Sequence, residues 1–317
     1  MWAEYRARAM GTDVQIVVPS GDEDVLGAAA RRLDDLERRW SRFLPRSELT
    51  RLNSHPGVPV IVSIETFNVI ALAIDAWRAT EGRFDPTIHD ALTALGYDRS
   101  FDRMPQVAVA CGEPGPSPSQ TEIELDMALS AITLPVGVRL DLGGIGKGAA
   151  ADLIVAESRA AGGRGICVNI GGDARAWGEG PTHGSWSAVL RCPGSHETRP
   201  VELVDGAVCT STRLRRRWHT RAGLAHHLID PATGRSANTG VASVGVVAAG
   251  AAQAEILAKV AFLAGPDAGL DLLHRHGVEG VIVTDDGRVH DVGLLTRSRP
   301  HRNPPNPGRS ADGTHRD

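Results

Sequence analysis

Four glycines surround one lysine in Asp141-Leu142-Gly143-Gly144-Ile145-Gly146-Lys147-Gly148, with an aspartate at the entrance. Residues without a Cβ let the backbone approach another group closely, and amides at a helix start carry partial positive charge. Lys147 adds a full positive charge, and Asp141 can accept hydrogen bonds or support a cation. Such a segment can hold an anion, phosphates above all; tight packing between elements is the competing explanation for the same glycines. A P-loop would need glycine five residues before the Gly-Lys pair and Ser or Thr after it, where this chain has Asp141 and Gly148. The dinucleotide fingerprint fails as well, because the spacing is Gly144-x-Gly146-x-Gly148.

Three further clusters could act with it. Asn169-Ile170-Gly171-Gly172-Asp173 reads as a hairpin turn or as a loop facing a ligand. Thr210-Ser211-Thr212-Arg213 runs into Arg215-Arg216-Arg217; strand alternation would put Arg213, Arg215 and Arg217 on one side, with at most one guanidinium lining a pocket. In His226-His227-Leu228-Ile229-Asp230-Pro231-Ala232-Thr233-Gly234, adjacent strand residues face opposite ways, so the histidines cannot share a metal. One packs, and the other is placed to act as a general base.

These clusters need elements to position them. Thr12 to Val18 alternates as a strand, and Asp22 to Trp40 has helical spacing with acidic residues at its start. A short helix follows at Ser47 to Asn53, and Ser63 can cap another running to about Thr80. Pro86 makes Gly82 to Thr87 a turn leading into a helix. A strand-like run, Ile132 to Leu140, feeds the glycine segment, and a helix-prone one, Ala149 to Ala160, leaves it. Short strands are expected at Gly165 to Ile170, Ser185 to Leu190, Arg199 to Leu203, Ala207 to Ser211, His226 to Ile229 and Val241 to Ala248. Helices at Ala251 to Leu263 and Pro266 to His276 precede a hairpin, Val281 to Thr284 with Arg288 to Val292. The class is α+β with largely antiparallel sheet and packed helices: one domain over 1–296, a Pro/Gly/Ser loop at 111–120, and a disordered tail over 297–317.

Composition narrows the function. With 317 residues and a formal net charge of −4, the chain has no bulk attraction to nucleic acid or to an anionic membrane. Cys111, Cys167, Cys192 and Cys209 form no CxxC pair, which signals neither a disulfide framework nor a zinc site. Signal peptide, lipidation cysteine and membrane-length apolar run are all missing from the sequence, so a cytoplasmic location is expected.

Taken in order, the motifs resemble the ApbE family of FAD:protein FMN transferases. The resemblance rests on Met10-Gly11-Thr12, Ser47-Glu48-Leu49 with Leu52-Asn53, Gly82 to Thr87, Asp141 to Gly148 with Asp152, Asn169-x-Gly171-Gly172-Asp173, Thr210-Ser211, and His227 to Gly234. It implies an ApbE-like, T-fold-related architecture. It also implies an enzyme that binds FAD with magnesium, cleaves its pyrophosphate, and attaches FMN through a phosphoester to a Thr or Ser hydroxyl of an acceptor flavoprotein, releasing AMP. Met10 and Phe43 would contact the flavin or adenine, while Arg83, Phe84 and Asp85 would line the nucleotide pocket. Asp141 would hydrogen-bond FAD, and Lys147 would meet the phosphates. Gly172, Thr210 and Leu228 would complete the pocket, with His227 as the base that deprotonates the acceptor.

One departure concerns the metal. The family usually reads Ala-Asp-Ala-x-x-Thr on the helix after the long strand, with Asp and Thr as ligands and the Gly144 carbonyl as another. Here the helix reads Ala254-Glu255-Ile256-Leu257-Ala258-Lys259. Glu255 keeps a carboxylate, but charged Lys259 cannot ligate and lies one turn away on the same face. Either magnesium binds with fewer protein ligands and more waters, or Lys259 replaces it with a fixed charge. The same departure admits a flavin binder or carrier without transfer activity, and an FAD pyrophosphatase is the remaining rival.

Overall fold

The computed structural model describes residues 1–110, 112–118 and 122–293; the expected tail at 297–317 and part of the 111–120 loop lie outside them. The main sheet consists of β1 (Trp2–Ala9), β2 (Thr12–Pro19), β3 (Gly165–Ile170), β4 (Asp173–Gly178), β5 (Asp205–Thr212), β6 (Val241–Ala248), β7 (Glu279–Thr284) and β8 (Val289–Val292). Every strand is antiparallel to its neighbours, and spatial order follows chain order. The outer edge, β1, presents Glu4, Arg6 and Arg8, and charges of this kind discourage pairing with another chain. The opposite edge, β8, is only 4 residues long.

The helices are α1 (Glu23–Trp40), α2 (Glu48–Asn53), α3 (Ile64–Ala79), α4 (His89–Ala94), α5 (Gly146–Ala160), α6 (Ala251–Ala264) and α7 (Pro266–Arg275). Ser47 and Ser63 cap α2 and α3, each side chain accepting from the amide three residues on. Four helices lie side by side on one sheet face: α1 over β1 and β2, α5 over β3 and β4, α6 over β5 and β6, α7 over β7 and β8. The spacing of Ala29, Leu33, Leu36 and Trp40 gives α1 one buried stripe. Helix α6 is apolar nearly all round and correspondingly buried, which makes Glu255 within it, only 1% exposed, conspicuous. The other sheet face is covered by the hairpin Trp186–Arg191 with Thr198–Leu203, whose Trp186, Leu190, Val201 and Leu203 pack on Ala176, Val208 and Val283. A third cluster joins α4 and Tyr97 to Trp218 and Ala225 of the small sheet Val107–Ala108, Arg217–Thr220 and Gly223–His226.

Several expectations change. Strands β1 and β4 were not among the expected elements. The 132–140 run pairs only over Ala131–Thr133, in a separate sheet with Val60–Ile61 and Glu124–Asp126; Pro135 accepts from Val138 in a turn, and strand pairing stops there. His226 to Ile229 is not one strand but the end of Gly223–His226 and the start of Ile229–Asp230. Arg213 to Arg216 form a turn after β5, which removes the alternation proposed for Arg213, Arg215 and Arg217.

Candidate active site

The glycine segment is held from both sides by motifs distant in sequence. Asn53 donates from Nδ2 to the Leu140 carbonyl at 2.8 Å and accepts from the Leu140 amide at 2.8 Å, so one side chain stands in for a neighbouring strand. On the next residue, the Asp141 amide donates to the Pro86 carbonyl at 2.7 Å. Helix α5 starts at Gly146, earlier than the expected Ala149, and its glycines divide the work. A Cβ on Gly148 would sit 2.5 Å from the Ala251 carbonyl oxygen and 2.6 Å from the Ala252 nitrogen, so this glycine lets α5 meet the start of α6. Asp152 completes that junction by accepting from the Ala251 and Ala252 amides at 2.8 and 2.9 Å. A Cβ on Gly144 would come within 3.0 Å of the Phe84 ring, on the wall of a cavity. Packing and ligand access therefore share one motif.

That cavity, about 550 Å³, lies where α1, the 83–85 turn, the glycine segment, the 227–231 segment and α6 converge. Its wall includes Met10, Phe43, Arg83, Phe84, Asp85, Asp141, Gly144, Lys147, His227, Leu228 and Lys259. Gly172 and Thr210 do not line it. Gly171 and Gly172, both at positive φ, form the two-residue turn between β3 and β4, the hairpin explanation for that motif. The Thr210 amide donates to Asp173 Oδ1 at 2.9 Å, and Asp173 Oδ2 lies 2.7 Å from Lys147 Nζ. Both motifs thus act on the cavity through Asp173.

Several wall residues already have protein partners. Asp141 accepts from the Gly143 amide at 2.7 Å and pairs with Arg42 Nε at 2.6 Å, both side chains nearly buried. The Arg42 guanidinium lies 4.2 Å from the centre of the Phe43 ring and 4.7 Å from that of Tyr97, so Phe43 presents a stacked cation to the cavity. Asp85 is tied by the Thr87 amide and hydroxyl, each at 2.7 Å. The Met10 amide, in a left-handed turn, donates to Glu37 Oε1 at 2.7 Å. Burial raises the Glu37 carboxyl above its ordinary value despite that bond.

His227 lines the cavity and His226 does not, although the two do not share one strand. His226 donates or accepts only within the fold, at the Ala237 carbonyl and the Leu228 amide. His227 places Nδ1 3.2 Å from the Arg216 carbonyl, an acceptor only, so Nδ1 carries the proton and Nε2 keeps its lone pair. Burial, then Arg216 and Lys259, hold the imidazole well below its ordinary pKa, which keeps it neutral with the Nε2 lone pair open to accept a proton. Arg216, rather than Arg213, Arg215 or Arg217, supplies the guanidinium on the wall.

At the inner end Glu255 meets two ammonium groups. Its Oε1 accepts from Lys147 Nζ and, at 3.1 Å, from Lys259 Nζ; its Oε2 accepts from the Gly148 amide at 2.8 Å. Burial disfavours the Glu255 anion, yet Lys147 and Lys259 outweigh it and bring its pKa down to about 2. Burial likewise opposes the Lys147 ammonium, but Asp173 and Glu255 raise it above the ordinary lysine value. For Lys259 burial prevails and the shift is downward. This donor set does not fit magnesium, which wants near-octahedral oxygen ligands. Both Glu255 oxygens are occupied by cationic or amide donors, and no group of three His, Cys, Asp or Glu side chains able to hold an ion occurs among the described residues. The expected role of Gly144 and Glu255 as metal ligands thus gives way to an ion-pair cluster.

Glu37, Arg42, Tyr97 and Arg216 were not singled out from the sequence. Glu37 had a signal: it lies on the stripe between Leu33 and Trp40, where a carboxylate needs a reason. The pairing of Arg42 with Asp141 had none, because almost a hundred residues separate them.

Comparison with known proteins establishes the family. The ApbE family model matches residues 10–282. The FAD:protein FMN transferase of Haemophilus influenzae is 27% identical over 270 residues, covering 81% of this chain and 78% of that one. That of Rhodobacter capsulatus is 31% identical over 280 residues, covering 84% of this chain and 51% of that one. The crystal structure of the ApbE protein from Thermotoga maritima superposes with a TM-score of 0.79 at 27% identity, covering 92% of this chain and 97% of that one. Apo flavinyl transferase ApbE from Pseudomonas stutzeri shares the fold with a TM-score of 0.77 at 23% identity, over 92% and 95% of the two chains. Matched in sequence from Met10 to Ile282 and in fold to a solved member, the chain belongs to the ApbE family.

Proposed function

We infer that the chain is an FAD:protein FMN transferase: it cleaves FAD and joins FMN by a phosphoester to a Thr or Ser hydroxyl of an acceptor flavoprotein. The observation that carries the reading is one cavity walled by both a cationic glycine cradle, at Gly143, Gly144 and Lys147, and a neutral histidine with a free Nε2. Transfer of a phosphoryl group depends mainly on positioning and on neutralising charge at oxygen, which amides and ammonium groups supply.

The acceptor hydroxyl oxygen attacks the FMN-side phosphorus of the diphosphate, the bond from that phosphorus to the bridging oxygen breaks, and AMP leaves with the bond's electrons. The hydroxyl proton passes to His227 Nε2. Lys147 and the Gly144 amide hold the diphosphate, Met10, Phe43, Arg83, Phe84, Asp85 and Leu228 shape the walls around the rest of FAD, and Asp141 orients the cradle by accepting from the Gly143 amide. Gly172 and Thr210 support Lys147 by way of Asp173. No step is assigned to magnesium.

Incubation with FAD and an acceptor protein, read by AMP release and in-gel flavin fluorescence, tests the reading. Fluorescent acceptor with stoichiometric AMP is expected. AMP with free FMN would identify a pyrophosphatase instead, and bound FAD with neither product a binder.

A further inference from the structure

We propose that Lys259 is a tethered cation standing where a divalent ion would otherwise serve the diphosphate, so that this chain binds and cleaves FAD without metal. The proposal rests on the flavin-transfer reading above. Both residues assigned to an ion by resemblance have this side chain beside them. Lys259 Nζ is 3.1 Å from Glu255 Oε1, and Lys259 Cδ is 3.6 Å from the position a Cβ on Gly144 would take. The Lys259 side chain therefore runs past Gly144 and ends on Glu255, filling the approach that an ion held by both residues would use.

Charge balance points the same way. Lys147 and Lys259 face Glu255 and Asp173, two cations for two anions, in surroundings that leave both lysine side chains only 15% exposed. A dication placed among these groups would meet two ammonium charges and find neither Glu255 oxygen free. Paired with the Gly144 amide on the cavity wall, the two lysines make a metal-free cradle for a diphosphate. Glu255 is the hydrogen-bond partner of Lys259 among the described residues, which leaves two N–H bonds of that ammonium for phosphate oxygens. In the transfer step Lys259 neither gains nor loses a proton; its charge offsets the negative charge that collects on the departing AMP phosphate.

The test uses the full chain stripped with EDTA. FAD affinity, by quenching of flavin fluorescence, and AMP release are measured in excess EDTA and again with added Mg2+, while Mn2+ titration followed by electron paramagnetic resonance reads metal binding directly. Affinity and rate should agree within about two-fold in the two conditions, with no stoichiometric Mn2+ site. A tenfold or greater loss in EDTA that Mg2+ restores, or one tightly bound Mn2+, would overturn the proposal. The double variant Glu255→Asp, Lys259→Thr should reverse the behaviour, binding FAD tightly only with Mg2+. Failure of that variant to fold leaves the wild-type comparison decisive. Absence of FAD binding under every condition would instead sink the flavin-transfer reading, and binding only with Mg2+ would sink the role of Lys259 alone.

Discussion

Replacing Glu255 by Gln removes one charge and almost no volume from the most enclosed ionic cluster of the fold. The amide oxygen can still accept from the Gly148 amide, now at 2.8 Å from Oε2, so the loss is electrostatic. Lys147 retains Asp173 at 2.7 Å, whereas Lys259 loses its partner and becomes a buried, unpaired cation. Breaking a buried pair in this way costs about 3–5 kcal/mol. An unfolding entropy of about 2 cal/mol/K per residue over this chain length turns that into a fall of about 5–8 °C in Tm. Bound diphosphate would supply the missing negative charge, so saturating FAD should raise the Tm of the variant by several degrees more than it raises that of the wild type. Thermal unfolding with and without FAD measures both quantities. A fall under about 2 °C, or equal stabilisation of both proteins by FAD, would refute the reasoning that Glu255 compensates two cations beside a phosphate site.

Other changes probe other links. Gly148→Ala forces a methyl group against the backbone of Ala251 and Ala252, which cannot swing aside like a side chain, and should destabilise by about 1–3 kcal/mol or more in chemical denaturation. Asn53→Ala removes both bonds to Leu140 and should lower FAD affinity by loosening the Asp141 to Gly144 segment, while circular dichroism stays native. His227→Ala should reduce flavin transfer about 10²–10⁴-fold with FAD affinity little changed. Because the His227 pKa is depressed, wild-type transfer should persist below pH 6.5 and fail only on further acidification. The same depression, shared by His226, means that the unfolded chain takes up protons first as pH falls through about 6.5, so stability should decline from that point downward.

Legibility in the sequence tracked how local each determinant was. Helices α1, α2, α3, α6 and α7 announced themselves through spacing, and Ser47 and Ser63 cap α2 and α3 from within three residues. The antiparallel class was equally plain from its short alternating runs. Strand β1 escaped because alanines at 3, 7 and 9 give an alternation of low amplitude. The 132–140 run misled because Ile132, Leu134, Val138 and Leu140 are buried without continuing a sheet; Leu140 is bonded instead by a side chain 87 residues earlier. In the glycine motif, composition indicated close approach but not to what, and the structure assigns Gly148 to helix packing and Gly144 to the cavity wall. The arginine run allowed at most one of Arg213, Arg215 and Arg217 at a pocket, yet the turn after β5 places Arg216 there instead. Arg42 with Asp141, and Lys147 with Asp173, are pairings that only the folded chain brings together.

The central claim, that the cradle around Lys147 grips a diphosphate, is tested most directly by comparing FAD with riboflavin as ligands of the unmodified protein. Equilibrium titration should show FAD binding at least about a hundredfold more tightly than riboflavin, a difference of about 2.7 kcal/mol. Equal affinity for the two, or no binding of FAD at all, would contradict it.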